Sequence, residues 1–244
     1  MKIFSFLLLT LPPLAAAAGP VLIEYRDKPP YSYSEHGQPR GFLLDRTAEI
    51  FRLAKVQATF LEIPTKRLTA DLQANRVLIC SPGWYKLPER EAYARFSLAM
   101  HQDKPQVVLA GNHALTAVRA HKSLQSLLAD TKLSMGVVDG ASYGPELDRM
   151  ITAMPRPAMR ATVAPLQLAK MISARRADYM LIDQEDLTYL DQRREVTEAG
   201  LVRVDFADAP PGLKRYLMCS KRLDTATMER LNAAIRSLMP GLNP

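Results

Sequence analysis

The chain has 244 residues, of which 48% are hydrophobic and 23% are charged, a balance that is ordinary for a globular protein and argues against long disordered stretches. Its formal net charge is +7, but the basic residues are dispersed and no basic tract is interleaved with aromatic residues. This distribution argues against a nucleic-acid partner, although it is compatible with a small anionic one.

The N-terminus has the features of a secretory signal peptide. A positively charged start at Lys2 precedes an apolar run at 3–11, and a row of small residues ends at Ala18. The apolar run is shorter than the ~20 residues that a membrane-spanning helix needs. We therefore expect export to the periplasm, removal of residues 1–18 and no stable insertion into the membrane.

The remaining chain begins with a block in which strands and helices alternate. Its predicted elements are a strand at 21–25, a helix at 43–54, a strand at 56–63, a helix at 65–74 and a strand at 77–80. The helices are predicted from apolar residues at helical spacing and the strands from short apolar or alternating runs. This order favours an α/β layer with a largely parallel sheet.

A second block of the same kind follows. Its predicted elements are a strand at 106–110, a helix at 124–128, a strand at 132–138, helices at 145–154 and 166–174, and a strand at 179–182. After a Pro-Pro-Gly linker at 209–212, the chain ends with a strand at 216–220 and a helix at 224–238. Two α/β blocks predict two lobes, and open α/β sheets bind ligands in crevices at the carboxyl ends of their strands.

One arginine follows the strand at 77–80 and is well placed to face such a crevice. Arg90 lies in the segment Pro-Glu-Arg and stands six residues before Phe96. Its planar guanidinium matches a carboxylate better than a lysine ammonium does. The alternative is an ordinary solvated arginine.

Two turns carry further candidate residues. Gly140 and Ser142 belong to a Gly-Ala-Ser-Tyr-Gly turn before the helix at 145–154, where backbone N–H groups and the hydroxyl can bind an anion or where Ser142 can simply cap the helix. Asp183 ends the strand at 179–182. Its carboxylate can accept from a ligand ammonium, or it can cap the helix that follows.

Aromatic and basic residues complete the candidate set. Tyr31 and Tyr33 lie in a proline-rich loop, and Trp84 lies where a strand is expected to leave the sheet. Each ring can stack on a ligand or pack internally. Arg67 can direct a second cation inward or belong to a solvated helix face.

Cysteine and histidine usage argues against metal binding and catalysis. Cys80 and Cys219 are an even pair in an exported chain, which favours a disulfide, with two buried thiols as the alternative. The four histidines are scattered, so we expect neither a metal nor another cofactor. No histidine follows His121, so the Ser-Asp-His order of an α/β-hydrolase cannot be completed after Ser142.

Several loose motifs, taken in order, resemble the family 3 extracellular solute-binding proteins, the periplasmic receptors of ABC importers for polar amino acids. They are Pro-Pro-Tyr-Ser-Tyr at 29–33, Gly-Phe-Leu-Leu-Asp at 41–45, Pro-Glu-Arg at 88–90, Phe-Ser at 96–97, Gly-Val-Val-Asp-Gly-Ala-Ser at 136–142 and Ala-Asp-Tyr-Met-Leu-Ile-Asp at 177–183. The resemblance covers nearly the whole mature chain.

The resemblance implies a two-lobed α/β structure, the type II periplasmic-binding-protein fold. Lobe 1 would comprise residues 19–102 and 210–244, lobe 2 would comprise residues 103–209, and a central cleft would close about a two-strand hinge. The strands that carry Cys80 and Cys219 would be neighbours in lobe 1, which makes a bridge feasible if the Cα atoms lie within ~7 Å.

The resemblance also assigns roles to the candidate residues. Arg90 would clamp a ligand carboxylate with help from the turn at Gly140 and Ser142, and Asp183 would take a ligand ammonium group. Aromatic rings would flank the ligand side chain; they are Tyr31, Tyr33 and Trp84. Two segments depart from the family pattern, 74–77 and 81–87, and place the chain in a divergent branch.

The resulting expectation is a monomeric periplasmic receptor, without catalysis, that captures a small polar, carboxylate-bearing, amino-acid-like solute for an ABC permease or a membrane sensor. One alternative is a dehydratase-like enzyme on the same fold, whose candidate groups would be Glu89, Asp183 and Glu185. The other is an orphan receptor for a partner protein.

Overall fold

The computed structural model describes residues 19–243. The signal peptide expected at 1–18 lies outside the described residues. The strands are β1 (Val21–Tyr25), β2 (Tyr33–Glu35), β3 (Gln38–Arg40), β4 (Ala58–Glu62), β5 (Ile79–Tyr85), β6 (Ala94–Gln102), β7 (Val107–Gly111), β8 (Met135–Val138), β9 (Met159–Ala161), β10 (Tyr179–Ile182), β11 (Leu201–Val204) and β12 (Lys214–Ser220).

Helices alternate with these strands along most of the described chain. They are α1 (Phe42–Leu53), α2 (Thr65–Ala74), α3 (Pro88–Glu91), α4 (Leu115–Ala120), α5 (Leu124–Leu128), α6 (Pro145–Thr152), α7 (Pro165–Ser173), α8 (Gln184–Gln192), α9 (Glu195–Glu198) and α10 (Thr225–Leu238). None of them is long and apolar enough to cross a membrane.

The first sheet forms the centre of lobe 1. Its strand order is β4-β1-β5-β12-β6, with β1 parallel to β4 and β5, and β12 antiparallel to β5 and β6. Strand β5 is longer than the sequence predicts, because it continues through Pro82 and Gly83 to Tyr85. Every residue of β5 is buried, so packing on both faces overrides the turn tendency of the Pro-Gly pair.

The second sheet forms the centre of lobe 2. Its order is β11-β7-β10-β8-β9, with β10, β8 and β9 parallel to one another, and β7 antiparallel to both β10 and β11. Both sheets are therefore mixed rather than largely parallel. In each of them, the antiparallel strands flank the two segments where the chain passes between lobes.

Hydrophobic clusters cover both faces of each sheet. In lobe 1, α1 and α10 cover one face through Phe51 and Leu231, and α2 covers the other through Leu68. In lobe 2, one cluster centres on Leu127 and another on Ile172. Helix α10 begins as its sequence predicts, since the Asp224 side chain accepts a hydrogen bond from a backbone N–H in the first turn.

The two crossings between the lobes lie side by side. The Asp103 N–H donates to the Leu213 carbonyl at 3.0 Å, and the Gln102 side chain donates to the Gly212 carbonyl. A Cβ at position 212 would overlap the Asp103 and Lys104 carbonyl oxygens, so this crossing requires glycine. The pair of adjacent segments forms a connection about which two lobes can rotate.

A disulfide joins the centre of the first sheet. Cys80 in β5 and Cys219 in β12 face each other in register, and their sulfur atoms are bonded. The bridge ties the N-terminal part of lobe 1 to the strand that returns after lobe 2, across 139 residues of sequence. The disulfide favoured by the cysteine count is therefore present.

A buried carboxyl group in β1 makes the stability of lobe 1 sensitive to pH. Glu24 is 5% exposed and its Oε2 has no hydrogen-bond partner among the described residues. Burial, together with the nearby Asp71 carboxylate, raises the pKa of Glu24 to about 7. The folded protein therefore holds a proton that the unfolded chain releases at lower pH.

We predict that this group stabilises the fold below about pH 4.5 and that its contribution is lost as the pH rises through 7. Between pH 5 and pH 8 the unfolding free energy of the wild type should fall as this group ionises. In Glu24→Gln the fall should be smaller by about 2 kcal/mol. Urea denaturation at both pH values measures the decrease, and Glu62→Gln, at an exposed position on the neighbouring strand, is the control. An unchanged pH profile in Glu24→Gln would contradict the assignment.

Candidate ligand-binding cleft

The cleft between the lobes is centred on the carboxylate of Asp183, at the end of β10. Its Oδ2 accepts from Lys28 Nζ at 3.1 Å and from Arg215 Nη2 at 3.2 Å, and its Oδ1 accepts from the Gln106 amide. Lys28 and Arg215 belong to lobe 1, so these bonds join the lobes. The Asp183 side chain makes no capping bond to α8, which excludes the capping alternative.

The environment of Asp183 holds it in the charged state. Burial opposes its ionisation, but the charges of Lys28 and Arg215 and the hydrogen bonds from Lys28 and Gln106 outweigh burial and hold the pKa of Asp183 well below its usual range. Lys28 also donates to Asp186 Oδ2 at 2.8 Å. Burial and the Asp183 charge raise the pKa of Asp186 to about 6, while the charge of Lys28 acts in the opposite direction.

Arg215 binds lobe 1, the hinge and lobe 2 together. It is 3% exposed, and its Nε donates to Asp103 Oδ1 at 2.7 Å while its Nη1 donates to the Gly83 carbonyl at 3.1 Å. Its Nη2 donates to both Tyr85 Oη and Asp183. Four of its five N–H donors are therefore taken by groups of the protein, which leaves one N–H of Nη1.

Tyr31 belongs to the same interlobe contact. Its ring is 2% exposed and lies against both Lys28 and Arg215, each 4.4 Å from the ring centre. Its hydroxyl donates to Glu185 of α8 at 3.3 Å. Tyr33 lies further out, where its ring meets Tyr189 of α8 at 6.3 Å between centroids. Both tyrosines therefore contact lobe 2 directly.

A second group of side chains surrounds Trp84 near the end of β5. The guanidinium carbons of Arg26 and Arg90 lie 4.8 Å and 4.9 Å from the centre of the Trp84 ring. The indole N–H donates to Ser81 at 2.9 Å, and Arg90 Nη1 donates to the Tyr85 carbonyl at 3.0 Å. We call Arg26, Trp84 and Arg90 the arginine–tryptophan cluster.

The two arginines of this cluster have no carboxylate partner within 4.0 Å among residues 19–243. Burial and the charges of Arg215 and Arg90 lower the pKa of Arg26 to about 10. Burial also lowers the pKa of Arg90, whereas nearby acidic groups that include Asp148 of lobe 2 act in the opposite direction. Acidic groups such as Asp183 and Asp148 thus act on the cluster from a distance, but no carboxylate of the described residues pairs with its guanidinium groups.

The turn before α6 lies across the cleft and is braced by Asp148. Ser142 Oγ donates to Asp148 at 2.6 Å and accepts from the Gly144 N–H at 3.2 Å, and the Tyr143 N–H donates to Asp148 at 2.8 Å. The N-cap of α6 is Gly144, so Ser142 does not cap the helix. Gly140 adopts a φ of +72°, the left-handed region that favours glycine.

The structure does not bring Arg67 to these groups. Its side chain is 72% exposed and pairs with Asp71 one turn further along α2, at 2.9 Å. This is the solvated helix face that the sequence allowed as an alternative.

A histidine lies between two carboxylates at the base of the cleft. His101 Nε2 is 3.4 Å from both Asp103 Oδ1 and Glu185 Oε1, and these groups could be taken for metal ligands. Arg46 donates to His101 Nδ1 at 3.0 Å, so Nδ1 accepts and Nε2 carries the proton. Arg215 also occupies Asp103 Oδ1, and His101 Nε2 is buried without a hydrogen-bond partner among the described residues.

A cavity of about 270 Å³ adjoins the hinge and reaches both lobes. Its lining includes Tyr85, Asp103 and Gln106 on one side, and Tyr143 and Arg149 on the other. Its volume lies just below the usual range of small-ligand pockets, and Arg26, Trp84 and Arg90 are not among the residues that line it. A larger concavity of about 510 Å³ lies elsewhere on lobe 1, between α1 and the C-terminal segment, and its lining includes Arg46, His101 and Gln102.

Sequence reasoning missed four residues of the cleft: Lys28, Gln106, Arg215 and Arg26. The one recognisable sign was Arg215, which directly precedes the apolar run predicted as a strand and lies buried within β12, since a buried charge requires partners. The partners themselves lie on distant segments, and the sequence pattern gives no indication of them.

The chain belongs to the family described as bacterial extracellular solute-binding proteins, family 3, whose model matches residues 22–240. No curated protein sequence matches it. Its fold is the two-lobed α/β fold of periplasmic binding proteins, as the resemblance implied.

Three solved structures illustrate this likeness. The arginine-, lysine-, histidine-binding protein ArtJ from Geobacillus stearothermophilus has a TM-score of 0.71 at 16% identity, with 91% of this chain and 90% of that chain covered. Holo ArgBP from T. maritima has a TM-score of 0.68 at 20% identity, with 90% of each chain covered. The VFT2 domain of BvgS from Bordetella pertussis has a TM-score of 0.69 at 17% identity, with 89% and 87% covered.

The interlobe network gives a prediction about stability. Asp183→Asn should lower the unfolding free energy by about 3 kcal/mol, because Lys28 and Arg215 would keep buried charges without their shared partner. Chemical denaturation at pH 7 measures the loss. Glu198→Gln removes the exposed pair with Arg194 and should cost less than about 1 kcal/mol. Equal, small losses in both variants would show that the network contributes no more than a surface ion pair.

Proposed function

We propose that this protein captures a small carboxylate-bearing solute between its lobes in the periplasm and delivers it to an ABC importer or a membrane sensor. The observation that carries the proposal is the arginine–tryptophan cluster, whose two guanidinium groups lack a carboxylate partner among the described residues. Two arginines over one indole ring provide paired N–H donors of the geometry that carboxylates accept.

Arg90 is the proposed clamp of lobe 1, and the turn at Gly140 and Ser142 is the proposed contact of lobe 2. Arg90 already donates to the Tyr85 carbonyl, which fixes the side chain before a ligand arrives and reduces the entropy lost on binding. Asp148 links the turn to the same region, since it accepts from Ser142 and acts electrostatically on Arg90. Trp84 is 5% exposed and packs against both guanidinium groups.

Binding would be coupled to movement of two bodies, residues 19–102 with 210–244 and residues 103–209. The paired crossings beside Asp103 and Gly212 are the proposed hinge, and a ligand that contacts both lobes favours the state in which they are close. The family is one of solute-binding proteins, and the neighbours include proteins described as binding arginine, lysine, histidine or glutamine. These comparisons support a solute of amino-acid size.

A thermal-shift screen over amino acids, short peptides and organic acids tests the proposal. A ligand at 100 times its dissociation constant should raise the unfolding free energy by ~2.7 kcal/mol. Arg90→Ala should weaken the binding of that ligand about 30-fold or more, because a charge-assisted pair is lost. Titration calorimetry measures the change.

Arg67→Ala removes a cation of lobe 1 that lies outside the cluster, and this variant should bind as the wild type does. The proposed clamp would be rejected if Arg67→Ala and Arg90→Ala weakened binding equally, and the proposed function if no member of the library bound.

A further inference from the structure

We propose that the solute is a dicarboxylate without an amino group, because the protein places its own ammonium group, Lys28 Nζ, on the carboxylate that would otherwise receive one from the ligand. This inference rests on the proposed function and names the class of solute. Three observations carry it: the occupied state of Asp183, the fixed position of Lys28 and the spacing of the two unpartnered arginines.

Asp183 already accepts three hydrogen bonds of the about four that a carboxylate can take. Its Oδ2 accepts from an ammonium and a guanidinium and its Oδ1 accepts from an amide, all of them groups of this chain. A ligand ammonium would have to displace Lys28 or stand beside it. Displacement would leave Lys28 in a buried site with Asp186 as its remaining carboxylate, and coexistence would place two like charges in contact.

The ammonium of Lys28 is held by its bonds to Asp183 and Asp186, and its backbone is held in a tight turn. Its N–H donates to the Ser32 carbonyl at 2.6 Å, and its carbonyl accepts from the Tyr31 N–H at 2.9 Å, so the residue closes a tight turn. Its ammonium lies 4.4 Å from the centre of the Tyr31 ring, which is itself buried. Lys28 is therefore held toward Asp183 and Asp186 rather than free to swing into solvent.

The arginine–tryptophan cluster favours a ligand with two negative charges. Both guanidinium carbons lie within 5 Å of the centre of the Trp84 ring, so they are less than 10 Å apart. A dicarboxylate of about four or five carbons can reach both with one carboxylate each. An amino acid would bring a further cation to a region where Arg26, Arg90 and Arg215 already repel one another.

Matched ligands isolate the effect of the amino group. Succinate and aspartate differ only in that group, as do glutarate and glutamate, so titration calorimetry of the wild type with these four compounds needs no variant. We expect whichever of succinate and glutarate binds more tightly to bind at least 30-fold more tightly than the amino acid of the same chain length, aspartate or glutamate.

Lys28→Met should then reduce this preference at least tenfold, because Asp183 becomes free to accept a ligand ammonium. Lys66→Met alters an exposed lysine of α2, away from the cleft, and should keep the wild-type preference. Arg26→Met should weaken the binding of the dicarboxylate more than it weakens the binding of the monocarboxylate of equal chain length, which is butyrate for succinate and valerate for glutarate.

The outcomes separate this inference from the proposed function. If aspartate or glutamate bound as tightly as its amino-free counterpart, and Arg90→Ala weakened that binding, the proposed function would stand and the inference would fail. If none of the four compounds bound while another solute did so through Arg90, the inference would also fail. If no carboxylate bound at all, both would fail. Should Lys28→Met not fold, the wild-type comparison alone decides.

Discussion

The arrangement of this protein depends on one buried carboxylate, Asp183, and on the cations that reach it from the other lobe. Taking an ion pair out of water costs several kcal/mol per ion, and the cost is recovered only where hydrogen bonds satisfy every group. Here Lys28, Arg215 and Gln106 all donate to Asp183, and Arg215 is held in turn by Asp103. The network therefore fixes how the lobes meet, because no single member can move without leaving another charge unpaired.

This constraint determines what the cleft offers to a solute. Carboxylates of lobe 2 that could have served as ligand contacts are already occupied by lobe 1, through Lys28 for Asp183 and through Tyr31 for Glu185. The guanidinium groups of Arg26 and Arg90, which lie against Trp84, have no carboxylate partner within 4.0 Å in the described part of the chain. The cleft thus presents positive charge beside an apolar ring, although the surrounding protein contains acidic residues in abundance. The selectivity of a site follows from the groups that the fold leaves unsatisfied.

The sequence predicted local features better than long-range partners. Helices such as α2 and strands such as β10 lie where periodicity and apolar runs placed them, and Arg90 and Trp84 were singled out separately before the structure showed them in contact. Strand β6 was missed because its alternation is interrupted by arginine and histidine. Lys28 and Asp183 are 155 residues apart, and neither carries a local mark of the other. Arg67 fitted a hypothesis of function equally well until its exposure showed a solvated helix face.

The built-in contacts between the lobes also bear on how tightly a solute can bind. A receptor whose binding-competent state is rarely populated loses affinity in proportion to that fraction. Bonds from Lys28 to Asp186 and from Tyr31 to Glu185 join the lobes without any ligand, so they raise the population of the state in which the lobes are close. A solute then needs only to add its own contacts at Arg26 and Arg90. Because these bonds already populate the closed state without ligand, ligand binding raises its population by less. A partner that recognises the closed state must therefore respond to a smaller ligand-dependent change in population.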